Sequence, residues 1–111
     1  MIGYNDSAAV ALTAAGSTLA TALPLSAKFN KVTTVAASTG VSLPVGAAAG
    51  DMVVVQNSGA NALNVYPATA TGTIAGGAGG AAVSLALTTE KTSHAVFICW
   101  GNDVWTRVIS G

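Results

Sequence analysis

Apolar residues recur along this chain in short runs with a period of two, each closed by Gly, Pro, Asn or Ser, which is the pattern of half-buried strands. Residues 8–12 and 19–25 form the first two runs, separated at Ala15-Gly16-Ser17. Pro24 has no N–H to donate to a ladder, so the second strand belongs at an edge or a bend. A β-branched run over residues 32–36 follows a turn at Asn30-Lys31. After Ser38-Thr39-Gly40, Val41, Leu43 and Val45 alternate with Ser42 and Pro44. Three consecutive valines within residues 51–56 point to burial on both faces. Asn57-Ser58-Gly59-Ala60-Asn61 has the length and composition of a hairpin loop. The returning strand, residues 62–66, carries Leu63 and Val65 on one face and Asn64 and Tyr66 on the other.

Pro67 ends that strand, and the glycine cluster from Gly72 to Gly80, interrupted by Ile74, is expected to be a flexible turn. Val83, Leu85 and Leu87 then alternate with Ser84 and Ala86, and Thr88-Thr89-Glu90-Lys91 turns the chain. Residues 94–100 make the most hydrophobic strand, which Gly101-Asn102-Asp103 reverses into residues 104–109. There Trp105, Arg107 and Ile109 share one face, and Val104, Thr106 and Val108 the other. About eight strands at roughly 8–12-residue spacing predict an all-β sandwich or barrel. The alanine-rich opening is the one stretch where a helix could compete.

A length of 111 residues allows one domain and one core. Charged residues make up only 7% of the chain, and Lys28, Lys31, Lys91 and Arg107 balance Asp6, Asp51, Glu90 and Asp103. Nucleic acid is therefore not an expected partner, because neutralising phosphates takes clustered Lys and Arg. Disorder is excluded by the 51% hydrophobic content. Zero net charge and a core light in large side chains, with alanine at roughly one residue in five, favour association. A homo-oligomer is expected, a dimer ahead of a trimer. Residues 7–27 are uncharged and long enough to span a membrane. Gly16, Pro24, the repeated Ser and Thr and the scarcity of large aliphatics argue against a span. No basic residue precedes an apolar run in residues 1–10, so the opening is not expected to be a secretory signal and synthesis is expected in the cytosol.

The residues that could carry chemistry are few. His94 and Cys99 are five apart on one strand and so face opposite ways, which rules out a Cys–His pair within it. The acidic residues sit in turns or at the terminus, where Asp ordinarily accepts backbone hydrogen bonds. One His and one Cys give no metal-ligand spacing, and the glycine cluster lacks the Lys-Ser/Thr ending of a phosphate loop. Neither an enzyme nor a cofactor is expected; a small hydrolase would need a pocket joining His94 to a carboxylate. Trp100 and Trp105 flank the last turn and are expected to pack the end of the sandwich rather than to stack on a sugar.

Residues 50–67 (GDMVVVQNSGANALNVYP) and 31–44 (KVTTVAASTGVSLP) resemble small virion proteins of tailed bacteriophages, above all head decoration, or cement, proteins with a jelly-roll-like β-sandwich. The glycine-rich loop, the VSLAL strand and the Trp-containing final hairpin fit the same pattern. The likeness runs from Lys31 onward, so residues 31–111 read as the sandwich body and residues 1–30 as an N-terminal arm with the first strands of the same domain. The resemblance implies a non-enzymatic role on the capsid exterior, with copies bridging major capsid protein subunits and reinforcing the shell. Ile2, Tyr4 and Asp6 are the candidate contact residues, since short terminal arms order on binding and aromatic anchors dominate interfaces. The alternative is a phage tail or fibre module whose Trp100, Trp105 and Tyr66 contact a host surface glycan.

Overall fold

The computed structural model describes residues 7–86 and 93–110. Its strands, in chain order, begin with β1 (Ala8–Thr13), β2 (Leu23–Pro24), β3 (Phe29–Thr34), β4 (Gly40–Ser42) and β5 (Met52–Asn57). They continue with β6 (Leu63–Tyr66), β7 (Thr73–Ile74), β8 (Val83–Leu85), β9 (Ser93–Cys99) and β10 (Val104–Ser110). The described residues form no helix, and the alanine-rich opening is strand β1. The all-β expectation holds, with ten strands where about eight are counted from the pattern. β7 is the strand that the pattern hides, because two residues between glycines carry no period.

The strands form a six-stranded sheet, β1-β3-β5-β9-β10-β7, and a four-stranded sheet, β2-β4-β6-β8. From β1 to β6 the chain alternates between them. β1, β3 and β5 lie parallel in one sheet, and β2, β4 and β6 lie parallel in the other. This section is a coil in which each turn lays one strand on each sheet. Apart from an isolated bridge of Ala15 with Gly40, antiparallel pairing begins only afterwards, where β9 joins β5, β10 returns along β9 and β8 joins β6, while β7 lies parallel to β10. A jelly roll is built from antiparallel strands; the parallel coil departs from that arrangement. Side chains alternate identically in both kinds of ladder, so strand patterning does not separate them.

The corner at residues 57–61 illustrates the difference. It is not a hairpin loop, because β5 and β6 lie in different sheets. Asn57 is fully buried and its amide donates to the carbonyls of Asn61 and Leu85, both at 2.9 Å. Its Oδ1 accepts from the Gly59 N–H at 3.0 Å, and the Asn61 amide donates to the Val35 carbonyl at 2.8 Å. A Cβ on Gly59 would lie 2.5 Å from Val35 Cγ2, so the corner stacks directly on the corner of the preceding turn. Pro24 lies in β2, an edge of the four-stranded sheet, as its missing donor requires.

Both sheets contribute to one core. Val32, Val53, Val55, Phe97 and Trp105 come from the larger sheet, and Val41, Leu63, Val65 and Leu85 from the smaller. Ala14 and Leu25 belong to the same cluster. Of the three consecutive valines, Val53 and Val55 are buried while Val54 points outward and is half-buried, so the run is not buried on both faces. Val45 lies beyond β4 in an exposed loop rather than continuing its alternation. The glycine-rich segment turns the chain through its exposed residues 75–79 and is anchored at both ends. Ile74 is buried and pairs with Trp105, and the Gly80 N–H donates to the Gly72 carbonyl at 2.7 Å.

Candidate functional site

Burial of alternate residues leaves the outer face of the larger sheet to the others. Register carries Phe29, Val54, Val96 and Val108 straight across four adjacent strands, with Ala8 of β1 beside Phe29. Met52, Ile98 and Thr106 form the next row. Trp100 follows β9 and lies along this face, its indole N–H donating to Thr106 Oγ1 at 3.0 Å. The polar margin is the row Lys31, Gln56 and His94. Val10 is 68% exposed, Trp100 61%, Val108 56%, Val104 43%, Phe29 42% and Met52 41%. With about 150–250 Å² per aromatic side chain and less per aliphatic one, these fractions expose on the order of 500 Å² of apolar surface. That is at the upper end of the few hundred Å² of contiguous apolar area on ordinary monomers. A shallow hollow of about 140 Å³ lies on the same face, lined by residues including Val10, Phe29, Lys31, Val54 and Gln56.

No catalytic constellation accompanies it among the described residues. Cys99 is buried and His94 is on the outer face, on opposite sides of β9 as their odd spacing requires. No group of three or more His, Cys, Asp or Glu side chains is placed to hold a metal ion among the described residues. Asp51 caps its own turn, Oδ2 accepting from the Ala48 N–H at 2.9 Å.

Asp103 has a larger structural task. Its Oδ1 accepts from the Trp105 indole at 2.6 Å and the Ala68 N–H at 3.0 Å. Its Oδ2 accepts from the Thr69 N–H and Thr69 Oγ1, both at 2.8 Å. Partial burial pushes the carboxyl pKa up, but the hydrogen bonds from Trp105, Ala68 and Thr69 outweigh it and hold the group below the usual aspartate range. Gly72 is obligatory here, because a Cβ would collide with the carboxylate. Asn102 and Asp103 have φ of 52° and 58°, and the Val104 N–H bonds to the Gly101 carbonyl at 3.1 Å, which makes the β9–β10 reversal a type I′ turn. Asp103 occupies a backbone region that Asn or Gly prefers, and the carboxylate clamp compensates.

The two tryptophans separate. Trp105 is buried as expected, but Trp100 lies at the surface rather than packing the end of the sheets, because its position in the β9 alternation is an outward one. Tyr66 is buried too, its hydroxyl donating to the Ser17 carbonyl at 3.0 Å, so Trp100, Trp105 and Tyr66 do not assemble into one glycan platform. Ile2, Tyr4 and Asp6 lie outside the described residues, as does Glu90. The outer face is the feature that residue patterning missed. The one signal for it was the apolar character of Val104 and Val108 on the face opposite Trp105.

No family model matches the chain, and neither a curated protein nor a solved structure is significantly similar to it.

Proposed function

We propose that this chain is a structural protein of a tailed-bacteriophage virion, a decoration or cement protein that binds the outside of the head, bridges major capsid protein subunits and stabilises the shell. The observation that carries the proposal is the broad outer face of the larger sheet, apolar from Phe29 to Val108, with Lys31 in its polar margin. Burying on the order of 500 Å² of apolar surface contributes about 12 kcal/mol gross at ~25 cal/mol per Å². Association costs of roughly 4–15 kcal/mol offset most of that, so one such contact is weak and many copies on a lattice are effective together. The resemblance of residues 31–44 and 50–67 to head decoration proteins supports the same function. Residues 1–6, with Ile2, Tyr4 and Asp6, are the proposed second contact, an arm reaching a neighbouring subunit.

The test compares particles stripped of this protein with particles given back the wild type, Val108→Lys or a chain lacking residues 1–6. Wild type should raise the temperature at which the shell opens, with little dependence on salt because ion pairs contribute little. Val108→Lys should bind at least tenfold more weakly while keeping its strand content, a loss of about 1.4 kcal/mol or more. Particles equally stable with and without the protein would refute the function, and full binding by the shortened chain would remove the arm from it.

A further inference from the structure

The four edges of the two sheets are unequally guarded. β2 has two residues, one of them Pro24, and β7 has two residues between glycine turns. β8 has three, and its Ser84 carbonyl accepts from the Arg107 guanidinium at 3.2 Å. β1 is different: six residues, Ala-Ala-Val-Ala-Leu-Thr, with no proline and no charge, and no described strand beyond it. Natural edges of this length are ordinarily blunted by Lys, Pro or a covering segment, because their outward N–H and C=O groups are a template for another strand.

We propose that β1 is a self-association edge, on which β1 of a second copy pairs antiparallel across a two-fold axis to make one sheet continuous through both chains. A two-fold axis normal to a sheet brings identical edges together in the antiparallel sense, so one surface serves as its own complement. Two observations favour a second copy as the occupant. No ionisable residue lies between Ser7 and Ala27, so the two edges approach without like-charge repulsion. The exposed side chains of β1 that would meet, Ala8, Val10 and Ala11, are small and apolar, so two such edges approach without steric or polar conflict. Pairing also places Val10, beside the Phe29 row, against its copy, so the two apolar outer faces become one surface. The inference does not depend on shell binding, and its test reads mass in solution.

The experiment is sedimentation of the full chain across a concentration series, beside a double variant carrying Ala11→Lys and Thr13→Lys, which lines the shared edge with positive charge from both chains. The wild type should be a dimer at tens of micromolar, and the double variant a monomer with an unchanged far-ultraviolet spectrum. A second variant, Val10→Cys, should give a covalent dimer with a short bis-maleimide, while Ala78→Cys, in the exposed loop after β7 at the opposite edge of the sheet, should not; the native Cys99 is buried and does not compete. A wild type that stays monomeric, a trimer, or a dimer indifferent to both lysines would each overturn the proposal.

Discussion

Asp103→Asn keeps the shape of the side chain and suits the left-handed turn position, so it isolates the carboxylate clamp from the backbone. The variant replaces one acceptor oxygen with an NH2 group that faces N–H donors. At least one of the two pairs of bonds, to Trp105 and Ala68 or to Thr69, is therefore lost. A hydrogen bond to a charged group contributes about 1.5–3 kcal/mol net, and bonds sharing one carboxylate do not add. The turn gains a few tenths of a kcal/mol from a residue better suited to positive φ. The expected loss is about 2–4 kcal/mol, which for a chain of this size lowers Tm by roughly 10 °C or more.

The same clamp makes stability depend on pH. The folded-state pKa of Asp103 lies below its ordinary value of 3.8, so its contribution is fully present above that value and is lost as pH falls through the folded pKa. The gap between wild type and Asp103→Asn should be constant from neutrality to about pH 5 and close in more acid solution. Near-ultraviolet dichroism during heating follows both chains, at one protomer concentration because association raises Tm. A Tm difference under about 2 °C at neutral pH, or a gap that widens in acid, would refute the clamp.

Asn57→Ala strands two carbonyls and the Gly59 N–H in the interior, and should cost about 3 kcal/mol in urea unfolding. Asn30→Ala should cost less, because Asn30 donates to Ala27 and Val54 while its Oδ1 has no partner among the described residues. Gly59→Ala should destabilise by roughly 1–3 kcal/mol through overpacking against Val35. Adding Val35→Ala should restore only part of that, since the Val35 backbone nitrogen would also lie 2.7 Å from the new methyl. Cys99 should resist a thiol reagent in the native protein and react fully in denaturant; rapid native labelling would show that β9 opens locally.

Local patterning settled what local forces control. Period-two alternation located most of the strands, though it missed β7, read Asn30-Lys31 of β3 as a turn and overextended β2; Pro24 went to an edge because it lacks a donor, and Cys99 and His94 fell on opposite faces by parity. Gly101-Asn102-Asp103 turned the last hairpin because those residues accept positive φ. Tertiary structure decided which strands are neighbours. The asparagines and glycine of residues 57–61 suit a hairpin and a corner between sheets equally well, and only the contacts of Asn57 with Leu85 and of Gly59 with Val35 choose the corner. Gly72 is buried against Asp103, which lies over thirty residues from Ala68 and Thr69 in sequence and fastens that segment down. The outer apolar face has the same origin: Phe29, Val54, Val96 and Val108 are scattered in sequence, and only strand register aligns them. A side chain's alternation is a property of its own strand, whereas its neighbours are set by how distant segments close on one core.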